Sequence, residues 1–243
     1  MWRKKQNVRI SSTNQIIKLE TSKNNEAVLP PYTEHSFFVV LWGRDSVFME
    51  VNIILFDDFD SLDAFGVADI FGRAAGHFHI NYLSVGGNIV NSMQGVKVWT
   101  ESLCTAQIRD IVVIPGGNGA RRLLFQDVEA VEEIKRAVGK AQTCLMVGNG
   151  AAVLAQTGLL YRRKIADCKI DKNWRRLFMG GVAIVEDATW VADGKFYSSA
   201  SSMTGIDMAL GVVADLVDVD LAYYLAEQIG HTQWDADDER VFQ

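Results

Sequence analysis

The stretch Ile111-Val112-Val113-Ile114-Pro115-Gly116-Gly117-Asn118-Gly119 decides how this chain is read. Four consecutive apolar residues without polar alternation describe a short strand buried on both faces. Such strands belong to parallel sheets covered by helices on each side. Pro115 closes the strand, and the glycines that follow tolerate positive φ and close backbone approach. Their N–H groups are placed to cradle an oxyanion or another anion. A glycine turn from strand to helix is common, so this stretch defines an architecture before it defines a chemistry.

The same grammar repeats outward from it. On the amino-terminal side, Val51–Phe56 reads as a buried strand. Ser61–Ala75 is a helix with Asp60 or Ser61 as N-cap, Phe78–Val85 a strand closed by Gly86-Gly87, and Val96–Thr100 a further strand. On the carboxyl-terminal side, Val128–Lys140 is an amphipathic helix, Gln142–Val147 a strand, and Asn149–Gln156 a helix that starts directly after it. Val182–Val185, Thr189–Ala192 and Lys195–Ser198 read as a meander with Asp193-Gly194 as a turn. Thr204–Val217 and Leu221–Gln228 are the last helices. Strands alternating with helices give βαβ units, hence an α/β fold with a mainly parallel sheet and helices on both faces.

Residues 1–48 differ. They are rich in Asn, Ser, Thr and Lys, contain Pro30-Pro31, and lack helical periodicity. They are expected to form a poorly ordered extension with a short strand at Phe37–Leu41, ahead of a domain spanning 49–243. Met49 stands immediately before the first core strand. An early annotated start explains this, and so does an added arm that covers a partner subunit.

The net charge is −6, and Arg121-Arg122, Tyr161–Lys164 and Lys172–Arg176 are short and separated. That pattern lacks the basic stripe of a nucleic-acid binder. The cysteines Cys104, Cys144 and Cys168 form no CxxC pair and are odd in number, against a disulfide framework or a structural zinc site. No apolar segment follows the basic start, and Phe37–Trp42 is too short to span a bilayer. A cytoplasmic protein without membrane partner, metal or cofactor is expected. His77 and His79 flank Phe78 on one strand face, and with His35 and His231 they share no metal spacing.

Ligands in parallel sheets bind beyond the carboxyl ends of the strands. That rule selects Asp57–Asp63, Pro115–Gly119 and Gly148–Gly150. Asp63, about one turn into its helix, either faces the helix N-terminus as a structural carboxylate or points into the pocket to hold a proton. Val147-Gly148-Asn149-Gly150 is a sharp strand-to-helix turn, the geometry of a nucleophile elbow, with Gly148 at its centre. Glycine relieves the strain of that position and removes the nucleophile together. Asn149 still offers a backbone N–H.

Ile111–Gly117, Val147–Ala155 with Gln156–Leu160, and Ser198–Leu210 in this order resemble the ThiJ/PfpI superfamily of class I glutamine amidotransferase-like folds. The isonitrile hydratase branch is the most similar. Asp57–Asp63 with Ala64-Phe65-Gly66 resembles that family's first loop. The resemblance covers residues 50–230. It implies a flavodoxin-like three-layer sandwich, a homodimer, an acidic site residue at Asp63, and oxyanion-type donors at Gly116, Gly117 and Asn149. It also implies a catalytic cysteine where Gly148 stands, and a histidine where Ala166-Asp167-Cys168-Lys169 places Cys168. Loss of both side chains predicts a degenerate site that binds a small metabolite without thiol catalysis. The alternative is altered hydratase-like chemistry using Asp63, with Cys168 entering from the opposite wall. An inert core thiol explains Cys168 equally well. A single designed Cys→Gly change would have left the histidine in place. Phe37–Trp42 and the helix bearing Tyr223 and Tyr224 are the candidate dimer contacts.

Overall fold

In the computed structural model the chain divides into two units, residues 1–46 and 47–243. Residues 48–168 and 172–236 are described, together with the short strands Asn7–Arg9, Ile16–Lys18 and Arg240–Val241. In the first unit β1 (Asn7–Arg9) and β2 (Ile16–Lys18) pair antiparallel, with Asn7 opposite Lys18. The strand expected at Phe37–Leu41 lies outside the described residues, as does most of the 1–48 segment.

The second unit opens with β3 (Met49–Ile54), α1 (Ser61–Arg73), β4 (Phe78–Ser84), β5 (Asn88–Asn91), β6 (Lys97–Ser102) and β7 (Ile111–Ile114). It continues with α2 (Gly119–Gln126), α3 (Val128–Lys140), β8 (Thr143–Val147), α4 (Gly150–Gln156), β9 (Lys164–Ala166), α5 (Lys172–Phe178) and β10 (Ala183–Val185). It closes with β11 (Trp190–Asp193), β12 (Phe196–Ser199), α6 (Ser202–Leu216), α7 (Val219–Gln228) and β13 (Arg240–Val241). The main sheet has the order β13-β11-β12-β8-β7-β3-β4-β6-β5. From β12 to β6 every neighbouring pair is parallel. The antiparallel pairs, β11 with β12 and β5 with β6, sit outside that centre.

Period-two alternation along the buried strands feeds two cores. Val51, Ile53, Ile111, Val113, Leu145 and Val147 face α1, α6 and α7. Ile54, Val112, Ile114, Cys144 and Met146 face the opposite core, which contains residues of α2, α3, α4 and α5. Each strand is buried on both faces, which is why its sequence reads as an uninterrupted apolar run. The result is the mainly parallel, three-layer flavodoxin-like sandwich.

The helix starts follow capping chemistry. Asp60 caps α1 by accepting from Leu62 N and Asp63 N, and Ser201 with Thr204 forms a reciprocal capping box on α6. Helices α1 and α6 cross closely, and a Cβ on Gly66 would stand 3.2 Å from Ile206 Cγ1. This crossing seats the first loop above the sheet.

One sequence expectation needs correction. Val182–Val185 does not join a meander. Its ordered part, β10, pairs in parallel with β9 in a separate two-stranded sheet, Ala183 opposite Lys164. Asp187, at φ 68°, turns the chain between β10 and β11. Only β11 and β12 form the expected hairpin, closing at Asp193 and Phe196. Helices α2 and α5 and strands β5 and β9 were absent from the sequence reading. Each has at most eight residues, too short for a periodic signal to stand out.

Candidate functional site

The three strand-end loops meet in space. Asp60 N donates to Gly116 O at 2.8 Å and Gly119 N to Asp58 O at 3.1 Å, joining the first loop to the second. Asn149 joins the second to the third. Its Oδ1 accepts from Gly117 N at 2.7 Å, and its Nδ2 donates to Gly117 O at 3.1 Å. Phe59 is fully buried beneath the loops and bridges to both Ser92 and Gly117. At the rim, Arg122 donates to Asp58 Oδ2 at 2.8 Å and to Asp57 O at 3.0 Å. Arg122 is therefore engaged with the loop. The pair is half-exposed and contributes little stability by itself.

The approach is so close that glycine is required. A Cβ on Gly116 would lie 2.3 Å from Asn149 Oδ1 and 2.7 Å from Asp63 Oδ2. Gly117, at φ 135°, would push one to 2.3 Å from Asp58 O. The sequence expectation of free oxyanion donors meets a different geometry here. Gly117 N–H is taken by the Asn149 side chain, and Gly116 N–H donates to Asp63 Oδ2 at 2.9 Å. Both donors are satisfied by the protein itself.

Asp63 is the chemical centre of the cluster. It is only 4% exposed, and its Oδ1 is buried without a hydrogen-bond partner among the described residues. Burial pushes its pKa above the ordinary 3.8. The Ser202 hydroxyl nearby pulls it down, the Asp60 carboxylate pushes it up, and the Gly116 N–H again favours the charged form. Ser202 belongs to the Ser198–Ser202 run and received no role from sequence. The side-chain closure by Asn149 was equally unforeseen, since short polar residues at helix starts read as caps.

Gly148 takes φ 53°, the left-handed conformation expected of an elbow centre. A Cβ built there would face Asp63 Oδ2 at 3.2 Å and Asp63 Cγ at 4.0 Å, with nothing else within 4 Å. Lys164 N donates to Asp193 Oδ2 and Ala166 N to Ser198 Oγ, so β9 advances in the direction of β12. Two residues beyond β9, Cys168 is half-buried and forms no disulfide. Lys169 lies outside the described residues. Cys144 sits in β8, fully buried, with its thiol pushed up to about 12 by desolvation. His79 contacts Glu50 at the start of β3, and His231 contacts Asp207 on α6. No group of three metal-ligating side chains occurs among the described residues.

Linkage gives the first testable consequence. A carboxyl with a raised folded pKa binds its proton more tightly in the native state. Its contribution to stability is complete below the ordinary 3.8 and is lost as pH rises through the folded value. Asp63→Asn keeps an acceptor for Gly116 N–H and removes the titration. Relative to the parent, its urea midpoint should move upward between about pH 4 and about pH 8. Parallel midpoints across that range would mean that burial does not raise the Asp63 pKa.

A mainly parallel sheet flanked by helices, with an acid, a glycine turn and an elbow gathered at its carboxyl edge, defines a three-layer α/β protein with its candidate site at the strand ends. The chain belongs to the DJ-1/PfpI family, whose profile matches residues 49–215. It is 25% identical over 186 residues to isonitrile hydratase from Pseudomonas putida, covering 74% of this chain and 78% of that one. A ThiJ/PfpI family structure from Pseudomonas syringae superposes with TM-score 0.68 at 22% identity, covering 82% and 83% of the two chains. Drosophila melanogaster DJ-1beta superposes with TM-score 0.64 at 19% identity, covering 75% and 98%. These structural likenesses concern the fold.

Proposed function

We propose that this family member binds a small metabolite at the strand-end pocket and does so without thiol catalysis. One observation carries the reading. The elbow is kept in its left-handed conformation, yet its central residue is Gly148, which presents no side chain to Asp63 where a nucleophile would stand. Covalent catalysis needs an activated side chain at that point, and glycine has none. The Asp63 carboxyl and the lacing by Gly116, Gly117 and Asn149 hold the pocket's shape.

The alternative is hydratase-like chemistry with Asp63 as proton carrier and Cys168 as thiol. It is supported by the relation to isonitrile hydratase and by the retention of Asp63 in the first loop. One paired experiment separates the readings. Metabolite mixtures are screened by thermal shift against the parent and Gly148→Ala, and the parent is incubated with an alkyl isonitrile. Stabilisation lost in Gly148→Ala, with no isonitrile turnover, is the expected result. Turnover that disappears in Cys168→Ser would replace this reading with the alternative.

The working form we propose is a cytoplasmic homodimer. Cys104, Cys144 and Cys168 form no disulfide, which suits a reducing compartment, and no described helix is long and apolar enough to cross a membrane. A groove of about 800 Å³ between α1 and α6, with Leu62 and Met203 exposed on it, offers apolar surface for a second copy. Tyr223 is a weaker candidate, because its hydroxyl is turned to Asp235 and its ring lies against Trp234. Sedimentation of the parent as a monomer at micromolar concentration would remove the dimer.

A further inference from the structure

We propose that the outer face of the β5–β6 hairpin docks a second copy of this chain, in a two-fold contact that sets Lys97 of one copy against the partner's Glu101. This contact is separate from the one offered by the groove between α1 and α6, because it lies on the other face of the sheet. Val90 is 6% exposed, and Val98 packs against the core that receives α1 and α6. Ile89 and Trp99 alternate with them along the two strands and so point the opposite way. They are 55% and 68% exposed. Parallel sheets are ordinarily covered on both faces. Here β5 ends the main sheet, and the outer face of its hairpin is open.

Register gathers these residues into a patch. Ile89 stands directly opposite Trp99, and Asn91 opposite Lys97. Lys97, Trp99 and Glu101 recur at period two along β6, so all three share the open face. Lys97 and Glu101 are exposed, and neither makes an ion pair among the described residues. The row therefore reads cation, indole, anion, with the two charges about 13 Å apart along the strand. A row of one sign would call for a partner of the other sign, whereas this row complements its own reverse. Two such faces can meet at about 10 Å, the spacing of packed sheets. With the two-fold axis perpendicular to the strands, β6 runs antiparallel to its copy. Trp99 and Ile89 then lie at the axis, and Lys97 meets the partner's Glu101 at both ends. An aromatic centre with a charged rim is the arrangement that concentrates binding energy at an interface. The platform is also preformed. Thr100 Oγ1 donates to Asn88 O at 2.7 Å, Asp58 N to Asn91 O at 2.8 Å, and Met93 N to Phe59 O at 2.9 Å. These bonds fix the hairpin to the body of the domain, so docking orders little backbone.

The test is sedimentation of the full-length protein at micromolar concentration, in the background Leu62→Asp, which charges the α1–α6 groove and silences that contact. Association should persist in this background and weaken about 100-fold or more on adding Trp99→Asp. Lys97→Glu alone and Glu101→Lys alone each place like charges together at both ends, and each should weaken association about 10-fold. The double exchange Lys97→Glu with Glu101→Lys restores opposite pairs and should return it to within about 3-fold of the background protein. All three side chains are exposed, so these variants should fold as the parent does. A monomeric Leu62→Asp protein overturns this proposal and leaves the groove as the contact. Association unaffected by Trp99→Asp overturns it as well. Dependence on Trp99 with no rescue by the double exchange would mean that the face takes another occupant or another register, and the two-fold contact falls.

Discussion

Gly117→Ala is expected to destabilise the protein by about 3–5 kcal/mol, from overpacking and backbone strain together. The position has φ 135°, a region L side chains rarely adopt. The new Cβ would also stand 2.3 Å from Asp58 O, 2.7 Å from Asp60 N and 2.7 Å from Phe59 Cα. All are backbone atoms, and each belongs to the loop that caps α1, so no rotamer change relieves the clash. Against a native stability of about 5–15 kcal/mol, that loss removes much of the margin. Denaturant unfolding measures it, with Gly139→Ala as the control. Gly139 lies within α3 and its Cβ would meet nothing within 4 Å, so alanine there should gain up to about 1 kcal/mol from helix propensity. A Gly117→Ala protein within about 1 kcal/mol of the parent would mean that the loops move apart easily and do not form a rigid cradle.

Phe59→Ala should cost a similar amount, about 3–5 kcal/mol, for a different reason. The ring is fully buried, meets Phe65 edge-on at 6.0 Å, and lies in the core that receives α1 and α6. Its removal leaves a cavity directly below the site. Because the Phe59 backbone also bridges Ser92 and Gly117, the loss should reach the pocket. Hydrogen exchange at Gly116, Gly117 and Gly119 should quicken by more than global destabilisation alone explains. Destabilisation without that local effect would show that the loop lacing holds independently of the core beneath it.

Much of the fold was legible in the sequence because burial on both faces leaves a plain signature. Ile111–Ile114 and Val128–Lys140 have the bounds that their patterns predict. What was not legible was short or edge-bound. β5, with the sequence Asn-Ile-Val-Asn, has one buried residue, Val90, so although its partner β6 follows closely in the chain its four residues carry almost no burial pattern. The failure of the meander has the same origin. The partner of β10 is β9, itself three residues long, and no local pattern announces a parallel contact across about twenty residues.

For the site, the sequence by itself determined which residues were eligible: an acid in the first loop, a glycine turn after β7, and a glycine where an elbow nucleophile would stand. Side-chain chemistry and strand order suffice for that, since parallel strands bring their carboxyl-end loops to one edge. Only the tertiary structure decided how those residues are spent. It turned Asn149 back onto Gly117, committed Gly116 N–H to Asp63, and brought Ser202 close to the Asp63 carboxyl. It also set Gly148 against Asp63, so that a Cβ there would meet Oδ2 at 3.2 Å. Hydrogen-bond partners and burial are properties of surroundings assembled from distant segments. They fix whether a donor is free and whether a carboxyl holds its proton, and no stretch of sequence contains them alone.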